Sequence, residues 1–472
     1  MATGTWSESQ KPSMPGMYNR FMWTAEERLA QGTNGVVAMP VKSDWGPVKK
    51  VTSITSISEL TSEFGSNMDL TAYRLGRLVL LGKPKELLLY RLTDGNEKSA
   101  SLTLKDTTAN TPVDVINLET LYPTDRKFNI SIKPDIVDNT VTVITLYEGT
   151  EQLYAFKVQG IIDDIVNKIN SNYNNVWIKA SKLADGNGTL ANIVNQQLTG
   201  GNNGVTAITN QHYIDAMTTF EGYKKDAFTL DGVGDTSLQM AVQAWIDKNK
   251  LNGVDVLGYV GASAESLIDD INSQSQTFND EAITNVGVSG IYEGVKYSPA
   301  ETACYIAGLA TGKGINESIC NEETIFEDVE PKLSKDEVNA CLAAGTLVFV
   351  NEDQNVIVVD DINTLKNYNS EQSKSLGYIR AVKFLYAVDE DTSTKRSDFI
   401  GKLTNDDIGQ KVVISALKKY FETLQNDGII SDFTVEIDKD LQANAKDDEF
   451  YWKWNATYVN VMKKIFGTGY IQ

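Results

Sequence analysis

The chain has 472 residues, more than a single hydrophobic core usually holds, so its length predicts several domains. Hydrophobic residues make up 41% and charged residues 22%, a balance typical of globular proteins that excludes wholesale disorder. The net charge of −20 disfavours binding to nucleic acid or to an anionic membrane. Because the sequence shows neither a long apolar stretch nor an apolar signal-peptide core, we expect no direct membrane insertion and no secretory leader.

Cysteine and histidine are scarce. Cys304, Cys320 and Cys341 are odd in number and irregularly spaced, which favours a reducing compartment without a disulfide framework. His212 is the single histidine, so any site that needs two histidines is excluded. The sequence therefore predicts no cofactor, no metal site and no catalytic residue.

The first 24 residues are unusual for a solvated tail. Pro12 and Pro15 forbid a regular helix, yet the segment is rich in aromatic side chains. The aromatic residues are Trp6, Tyr18, Phe21 and Trp23. We expect such an apolar arm to pack on another surface.

A small α/β pattern follows the arm. Strands are predicted at 35–41 and 86–92, with a helix at 72–82 between them. Ser56 and Glu59 have the spacing of a capping box, which predicts the start of a further helix.

Residues 99–159 consist of short alternating segments separated by Asn, Asp, Gly and Pro. This spacing predicts an all-β sandwich, followed by a short helix at 161–169. The Gly- and Asn-rich run 184–204 is interpreted as a linker.

The middle of the chain alternates strands and helices, which predicts a mostly parallel sheet covered on both faces. Strands are predicted at 227–230, 254–261 and 282–288, and helices at 236–248 and 298–312. Residues 200–346 carry 22 acidic and 8 basic side chains, which favours a separate unit with a negative surface.

The last third reads as α+β. A hairpin is predicted at 346–359, amphipathic helices at 376–388 and 408–424, and strands at 433–437 and 450–461. The final strand places four aromatic residues on one face, namely Phe450, Trp452, Trp454 and Tyr458.

Several motifs resemble catalytic sequences but lack the required spacing. The run 308–314 misses one residue of a phosphate loop and its Ser or Thr, so we interpret it as a helix end. Ser263 lies in a sequence that lacks the closing Gly of a nucleophile elbow, and His212 lies beside the predicted linker. The paired acids at 163–164, 269–270 and 360–361 are typical of solvated faces.

The order of these parts resembles the contractile tail sheath proteins of long-tailed phages and of phage-tail-like particles from Gram-positive bacteria. The resemblance is carried by the N-terminal arm, by SELTSEFG and LLGKPKELLLYRL, and by LTGGNNG with YIDAMTTFEGY. It continues through SPAETACYIAGLATG, VIVVDDINTL and the run RSDFIGKLTNDDIGQKVVISALKKYFETLQNDGIISDF. It covers nearly the whole chain.

The resemblance implies a structural subunit rather than an enzyme, with a subtilisin-like but non-catalytic α/β domain. Such subunits form stacked hexameric rings around an inner tail tube, and contraction drives that tube through a cell envelope. The implied partners are further copies of the chain, the tube protein, and baseplate and tail terminator proteins, without nucleic acid. The implied location is a virion or phage-tail-like particle assembled in the bacterial host cytoplasm.

The resemblance also implies which segments meet other subunits. The N-terminal arm and the aromatic strand would link neighbouring subunits by strand addition, the alternative being that both pack on their own subunit. The helix at 408–424 would face the tube through Lys411, Lys418 and Lys419, the alternative being an ordinary solvated face.

Together these patterns predict a multidomain α/β and α+β protein with an inserted β-sandwich and extended terminal arms. The predicted boundaries are an arm at 1–24, a small α/β unit at 25–95, a sandwich at 96–182, a subtilisin-like domain at 183–345, an α+β domain at 346–445 and a linking strand at 446–472. Two other functions stay open from the residues themselves, an α/β hydrolase and a surface glycan-binding protein.

Overall fold

The computed structural model describes residues 2–4, 16–18, 35–370, 372–394 and 396–471. The chain forms two compact units. The large unit contains residues 35–387 and the C-terminal residues from 460, and the small unit contains 388–459 together with the described N-terminal residues 2–4 and 16–18. Near the N-terminus, β1 (Ala2–Gly4) pairs in parallel with β2 (Gly16–Tyr18).

The large unit begins with an α/β segment whose helix start follows from local sequence. Its elements are β3 (Val36–Val41), β4 (Val51–Ile54), α1 (Ile57–Phe64), α2 (Thr71–Leu81) and β5 (Glu86–Arg91). The Ser56 hydroxyl accepts a hydrogen bond from the Glu59 amide at 3.2 Å, and the Glu59 carboxylate accepts one from the Thr55 amide at 2.8 Å. These bonds satisfy amides that have no partner within the first helical turn.

The β-sandwich follows, with alternating strands as the sequence predicts. Its elements are β6 (Ser101–Lys105), β7 (Asp114–Thr120), β8 (Phe128–Pro134), β9 (Val141–Glu148), β10 (Glu151–Gln159), α3 (Ile162–Ser171), β11 (Ile178–Lys182) and β12 (Ile193–Gln197). One sheet has the order β10-β9-β8-β12 and the other β11-β7-β6. Along β8, Phe128, Ile130 and Ile132 point inward and are fully buried, so the sandwich has its own hydrophobic core.

Two side chains join the sandwich to the rest of the large unit. The Trp45 ring, which follows β3, packs in the sandwich core beside Trp177, with ring centroids 5.3 Å apart. The buried Arg91 guanidinium donates to the carbonyl oxygens of Gly46 at 2.8 Å, Pro123 at 2.8 Å and Asn203 at 3.1 Å. Arg91, at the end of β5, therefore joins the loop after β3, the β7–β8 loop of the sandwich and the connection that leaves the sandwich at Asn203.

The chain then returns to alternating helices and strands. The elements are α4 (Asn210–Phe220), β13 (Ala227–Thr229), α5 (Thr236–Leu251), β14 (Leu257–Gly261), α6 (Ile268–Phe278), β15 (Ile283–Val286), β16 (Ser289–Tyr292), β17 (Val295–Tyr297) and α7 (Pro299–Gly312). They are followed by β18 (Asp328–Glu330), α8 (Lys335–Ala344), β19 (Thr346–Leu347), β20 (Phe349–Glu352), β21 (Asn355–Val358) and a 3-10 helix (Lys374–Gly377).

A seven-stranded sheet of order β19-β15-β14-β13-β3-β5-β4 forms the centre of the large unit. Its neighbouring strands pair in parallel except β4, which is antiparallel to β5. All residues of β3, β13, β14 and β15 are buried, which agrees with a parallel sheet covered on both faces.

The last elements are α9 (Ile379–Thr394), α10 (Arg396–Phe399), α11 (Asp407–Asn426), β22 (Ile430–Ile437), α12 (Lys439–Gln442) and β23 (Trp452–Tyr458). In the small unit, β22 and β23 form an antiparallel hairpin, and α11 packs on β22. The Asp406 carboxylate caps α11 by accepting from the Gly409 amide at 2.8 Å.

The structure divides the chain differently from the sequence prediction in three places. The segments 25–95 and 183–345 share one sheet, because β3 pairs with both β5 and β13. The segment 184–204, interpreted as a linker, contributes β12, which pairs with β8 across a local irregularity. The hairpin β20–β21 packs in the core of the large unit, so the compact units part at residue 387 rather than 345.

Four helices were absent from the prediction, namely α4, α8, α10 and α12. Helix α8 begins at Ser334, whose hydroxyl accepts from the Glu337 amide at 3.3 Å, while the Glu337 carboxylate accepts from the Ser334 amide at 2.7 Å. This is the same Ser-x-x-Glu signal that predicted α1, and it could have located α8.

Candidate assembly surfaces

The carboxyl edge of a parallel sheet is the usual place for an enzyme site, and here it holds a buried carboxylate. Asp231, just after β13, accepts hydrogen bonds from the Thr71 hydroxyl at 2.5 Å and the Tyr213 hydroxyl at 2.6 Å. The Lys42 ammonium lies 3.8 Å from the same carboxylate. Burial raises the pKa of Asp231, against the opposing effects of Lys42 and the two hydroxyl donors. The side chain is thus enclosed by partners from its own chain.

Glycines let the loops at this edge pack closely. A Cβ on Gly232 would lie 2.6 Å from the Glu301 side chain, and one on Gly234 would lie 2.4 Å from the backbone of Ser263. A Cβ on Gly261 would lie 2.3 Å from a carbonyl oxygen at the start of α7. This part of the edge is therefore filled by protein.

His212 and Ser263, the residues considered for nucleophilic chemistry, each contact a residue three positions away in the sequence. His212 Nδ1 accepts from the Thr209 amide at 3.0 Å at the start of α4. The Ser263 hydroxyl lies 3.0 Å from that of Ser266. Among the described residues, no hydrogen bond joins His212 to Ser263.

The motif at 308–314 coincides with the end of α7 at Gly312, as the sequence predicted. Lys383, which is buried, donates to the carbonyl oxygens of Ala310 at 2.5 Å and Lys313 at 2.7 Å. Burial lowers the pKa of Lys383 to about 8. This contact satisfies carbonyls at a helix C-terminus, where a cation is favourable.

Within the described ranges, no helix is both long and apolar enough to cross a membrane. In the same part of the chain, no three His, Cys, Asp or Glu side chains are grouped to hold a metal ion.

The four aromatic residues predicted on the last strand are half-buried within the small unit. They are Phe450, Trp452, Trp454 and Tyr458. The Trp454 ring centroid lies 5.1 Å from that of Phe421 on α11, and Phe421 stacks on Phe433 at 5.7 Å. The aromatic face of β23 therefore contacts α11 and β22 of its own chain.

The edge of the hairpin is where the sequence analysis predicts strand addition. In the described part of the chain, this sheet has two strands, so β22 has a strand neighbour on one side only. The solvent face of β22 is polar, with Asp432, Thr434 and Glu436 exposed. At the start of β22, the Ser431 carbonyl accepts from the Gln425 side-chain amide at 2.8 Å.

A pocket of about 870 Å³ opens in the small unit beside the hairpin. Its lining includes Leu417, Phe450 and Trp452 together with the carboxylates of Asp447 and Asp448. This combination suits an apolar segment that also carries positive charge.

The predicted tube-facing lysines differ in exposure along α11. Lys411 and Lys418 are exposed, whereas Lys419 is half-buried. Ile408 and Val412 on the same helix are also exposed, by 74% and 45%. The exposed surface of α11 is therefore mixed, basic and apolar, rather than purely basic.

Of the predicted N-terminal linking residues, Trp6, Phe21 and Trp23 lie outside the described residues. Tyr18 ends β2, for which the structure gives the backbone pairing with β1.

Of the linking strand predicted at 446–472, Trp452–Tyr458 forms β23, and the described segment after β23 has neither helix nor strand. It exposes apolar side chains by 81% or more at Met462, Ile465, Phe466, Tyr470 and Ile471. The signal was present in the sequence, because this run is apolar and lacks the alternation of a strand.

The prediction that the paired acids lie on solvated faces is wrong for Asp360 and Asp361. Asp361 is 1% exposed, and both carboxylates contact the Lys463 ammonium. The sequence could not reveal this contact, because the charged partner lies about a hundred residues away.

Three adjoining parts of the chain match one protein family. Residues 93–203 match the phage tail sheath protein beta-sandwich domain, residues 206–364 the central domain and residues 371–472 the C-terminal domain. The chain belongs to the phage tail sheath family.

Curated relatives of this sheath protein occur in Bacillus subtilis. The chain is 26% identical over 471 residues to the uncharacterized protein YqbK and 25% identical over 490 residues to the phage-like element PBSX protein XkdK. Each comparison covers 95% of both chains.

Solved structures share the fold of this sheath protein. The sheath tail protein of Desulfitobacterium hafniense matches with a TM-score of 0.72 at 21% identity, over 94% of this chain and 100% of that one. The sheath tail protein of Listeria innocua matches with a TM-score of 0.67 at 20% identity, over 92% and 97%. The helical sheath of the anti-feeding prophage in its contracted state matches with a TM-score of 0.55 at 11% identity, over 98% and 99%.

These comparisons confirm the resemblance and the predicted fold class. The beta-sandwich match ends at residue 203 and so includes β12, in agreement with the pairing of that strand to β8. The family consists of structural proteins of phage tails and tail-like particles, and this chain is a structural sheath subunit.

Proposed function

We propose that this sheath protein polymerises as stacked hexameric rings around an inner tail tube, and that contraction of the polymer drives the tube through a target cell envelope. The observation that carries this proposal is the match of three consecutive sheath domains over residues 93–472, apart from short gaps. Baseplate and tail terminator proteins would bound the polymer. Assembly would take place in the cytoplasm of the bacterial host.

Negative-stain electron microscopy of the purified protein tests this function. We expect tubes with six-fold symmetry, alone or when the tube protein is added. Monomers that stay dispersed at every concentration and with the tube protein would contradict the proposal.

We also propose that the subunit has no enzymatic activity. The enclosed Asp231 and the separate local bonding of His212 and Ser263 support this view. A serine-reactive fluorophosphonate probe provides the test, with Ser263→Ala as the control. Stoichiometric labelling that the substitution abolishes would favour the hydrolase alternative.

Linkage between subunits is proposed to involve the N-terminal arm and the hairpin of the small unit. The arm would supply Trp6, Tyr18, Phe21 and Trp23, and the hairpin would supply Phe450, Trp452, Trp454 and Tyr458. The single-sided edge of β22 supports strand addition, and the acidic, apolar pocket suits an arm in which the basic Arg20 directly precedes Phe21 and Trp23.

Contact with the tail tube is proposed to use the surface of α11 that carries Lys411, Lys418 and Lys419. The exposure of Lys411 and Lys418 supports this proposal. Exposed Ile408 and Val412 would add an apolar contribution to the same contact.

A further inference from the structure

The Lys463 ammonium, in the C-terminal segment after β23, makes close contacts with three other side chains. It is 2.5 Å from the Asp360 carboxylate, contacts the Asp361 carboxylate and lies 3.7 Å from the centre of the Tyr378 ring. The Lys463 side chain is 12% exposed, although residues 459–471 have no helix or strand. We call Lys463, Asp360, Asp361 and Tyr378 the tail clasp.

The two carboxylates of the tail clasp lie on the connection between β21 and α9 in the large unit. Asp360 and Asp361 follow β21, and the Asp361 carbonyl accepts from the Ile379 amide at 2.9 Å at the start of α9. The Asp361 side chain is 2% exposed. Without Lys463, two adjacent carboxylates would remain, one of them buried and unbalanced, which is strongly unfavourable.

The clasp immediately precedes an exposed apolar segment. Ile465, Phe466, Tyr470 and Ile471 are each exposed by 82% or more. A contiguous exposed set of this kind marks an interaction surface rather than a solvated tail. Lys463 therefore holds the first end of the exposed apolar segment at a fixed point on the large unit.

We propose that Lys463 is a positioning residue: the tail clasp fixes the point at which residues 464–471 leave the large unit and so presents them to a second copy of this chain. This inference rests on the proposed function for the identity of the partner. The clasp itself is a property of the single subunit.

Pulsed electron paramagnetic resonance tests the position of the tail in the full-length subunit. Spin labels are attached through Gly467→Cys and Lys332→Cys, both exposed positions of the large unit, with Cys320→Ser to remove the half-buried thiol. We expect a narrow distance distribution in this background. Lys463→Met should broaden it, because the tail loses its anchor.

Further variants test whether the position of the tail depends on Lys463 itself, on any nearby positive charge or on the stability of the fold. Lys464→Met removes the neighbouring exposed ammonium and should keep the narrow distribution. Lys463→Arg retains a cation for both carboxylates and the ring, and should restore it. If Lys463→Met fails to fold, Asp360→Asn weakens the clasp from its more exposed side and should broaden the distribution partly.

Assembly is measured on the same variants without labels. The rate of tube formation should fall more than about tenfold in Lys463→Met. Lys464→Met and Lys463→Arg should form tubes at the rate of the unsubstituted protein. A narrow distribution in folded Lys463→Met, or in Asp360→Asn if the first variant does not fold, would overturn the clasp. Normal tube formation despite a broad distribution would overturn its role in presenting the tail.

The two proposals fail in different ways. If the unsubstituted protein forms no tubes, the proposed sheath function fails. The distance distributions still decide whether Lys463 positions the tail.

Discussion

The parallel sheet of the large unit buries its strands on both faces, whereas the hairpin of the small unit buries only one. All six residues of β3 are buried, while β23 alternates half-buried and exposed positions. A two-stranded sheet is marginal by itself and needs a helix or further strands. We therefore expect the large unit to depend less than the small unit on contacts with neighbouring subunits.

The largest expected effect comes from deletion of residues 1–24. If the small unit needs strands and aromatic side chains from other subunits, the truncated protein should fold but remain monomeric. Circular dichroism and size-exclusion chromatography measure the two properties. A Gly/Ser segment of equal length in place of the arm is the control for chain length, and it should also stay monomeric. Tubes formed by either variant would show that the arm is not a linker.

Phe228→Ala tests the large unit. Phe228 is fully buried, and its ring centroid lies 5.0 Å from that of Trp245 and 6.1 Å from that of Phe220. We expect a loss of about 3–5 kcal/mol in the free energy of unfolding, because the substitution leaves a cavity. Urea denaturation followed by tryptophan fluorescence measures it. A loss under about 1 kcal/mol would mean that this core is loosely packed.

Trp454→Ala is the matched change in the small unit. Its ring contacts Phe421 but lies on a half-exposed strand, so the isolated subunit should lose only about 1–3 kcal/mol. The loss should increase in assembled tubes, measured by their dissociation in urea. An equal loss in subunit and tube would indicate that Trp454 serves its own subunit alone.

The stability of the β-sandwich in the large unit is expected to depend on pH through Asp106. Burial alone would raise the pKa of Asp106, but hydrogen bonds from Thr108, Val113 and Asn187 outweigh it and lower the pKa to about 2. An unfolded Asp titrates near pH 4, so this contribution is present above about pH 4 and lost as the pH falls to about 2.

The variant Asp106→Asn should therefore be less stable at neutral pH and show a weaker pH dependence between these values. Thermal melts of the sandwich signal by circular dichroism measure it. Asp114→Asn, whose side chain is 55% exposed, is the control and should leave the dependence unchanged. The explanation fails if both variants retain the same slope.

The smallest effect per residue is expected on α11. Replacement of Lys411, Lys418 and Lys419 by Glu should weaken co-assembly with tubes, and so should high salt. Each exposed ion pair contributes only about 0–1 kcal/mol, so single substitutions should have little effect. Sedimentation of sheath with preformed tubes measures the binding. Unchanged sedimentation after both treatments would remove α11 from the tube-facing surface.

Local sequence was sufficient for most individual elements. Helix α7 begins where the helix at 298–312 was predicted, with Pro299 in its first turn and the Glu301 carboxylate accepting from the Ser298 amide at 2.8 Å. The hairpin at Glu352–Asn355 also lies where the turn was predicted. Caps and turns involve residues three or four apart, so their chemistry is legible in the sequence.

The candidate assembly surfaces could be predicted from the sequence only in part. The aromatic alternation of β23 was visible, but its contact with Phe421 was not, because burial of a half-apolar strand depends on which helix covers it. The predicted linking strand ends at Tyr458 in the structure, and the exposure of the apolar side chains after it was not visible, because apolar residues in a sequence ordinarily indicate a core.

By itself, the sequence determined the order of strands and helices, their caps, the acidity of the middle segment and the family to which the chain belongs. Only the tertiary structure decided that β3 lies between β5 and β13, that Trp45 enters the sandwich core, and that Lys463 meets Asp361. The physical reason is distance along the chain. Local hydrogen bonds and periodicity fix elements over a few residues, whereas pairing across a hundred residues depends on which buried surfaces and charges fit when the whole chain has folded.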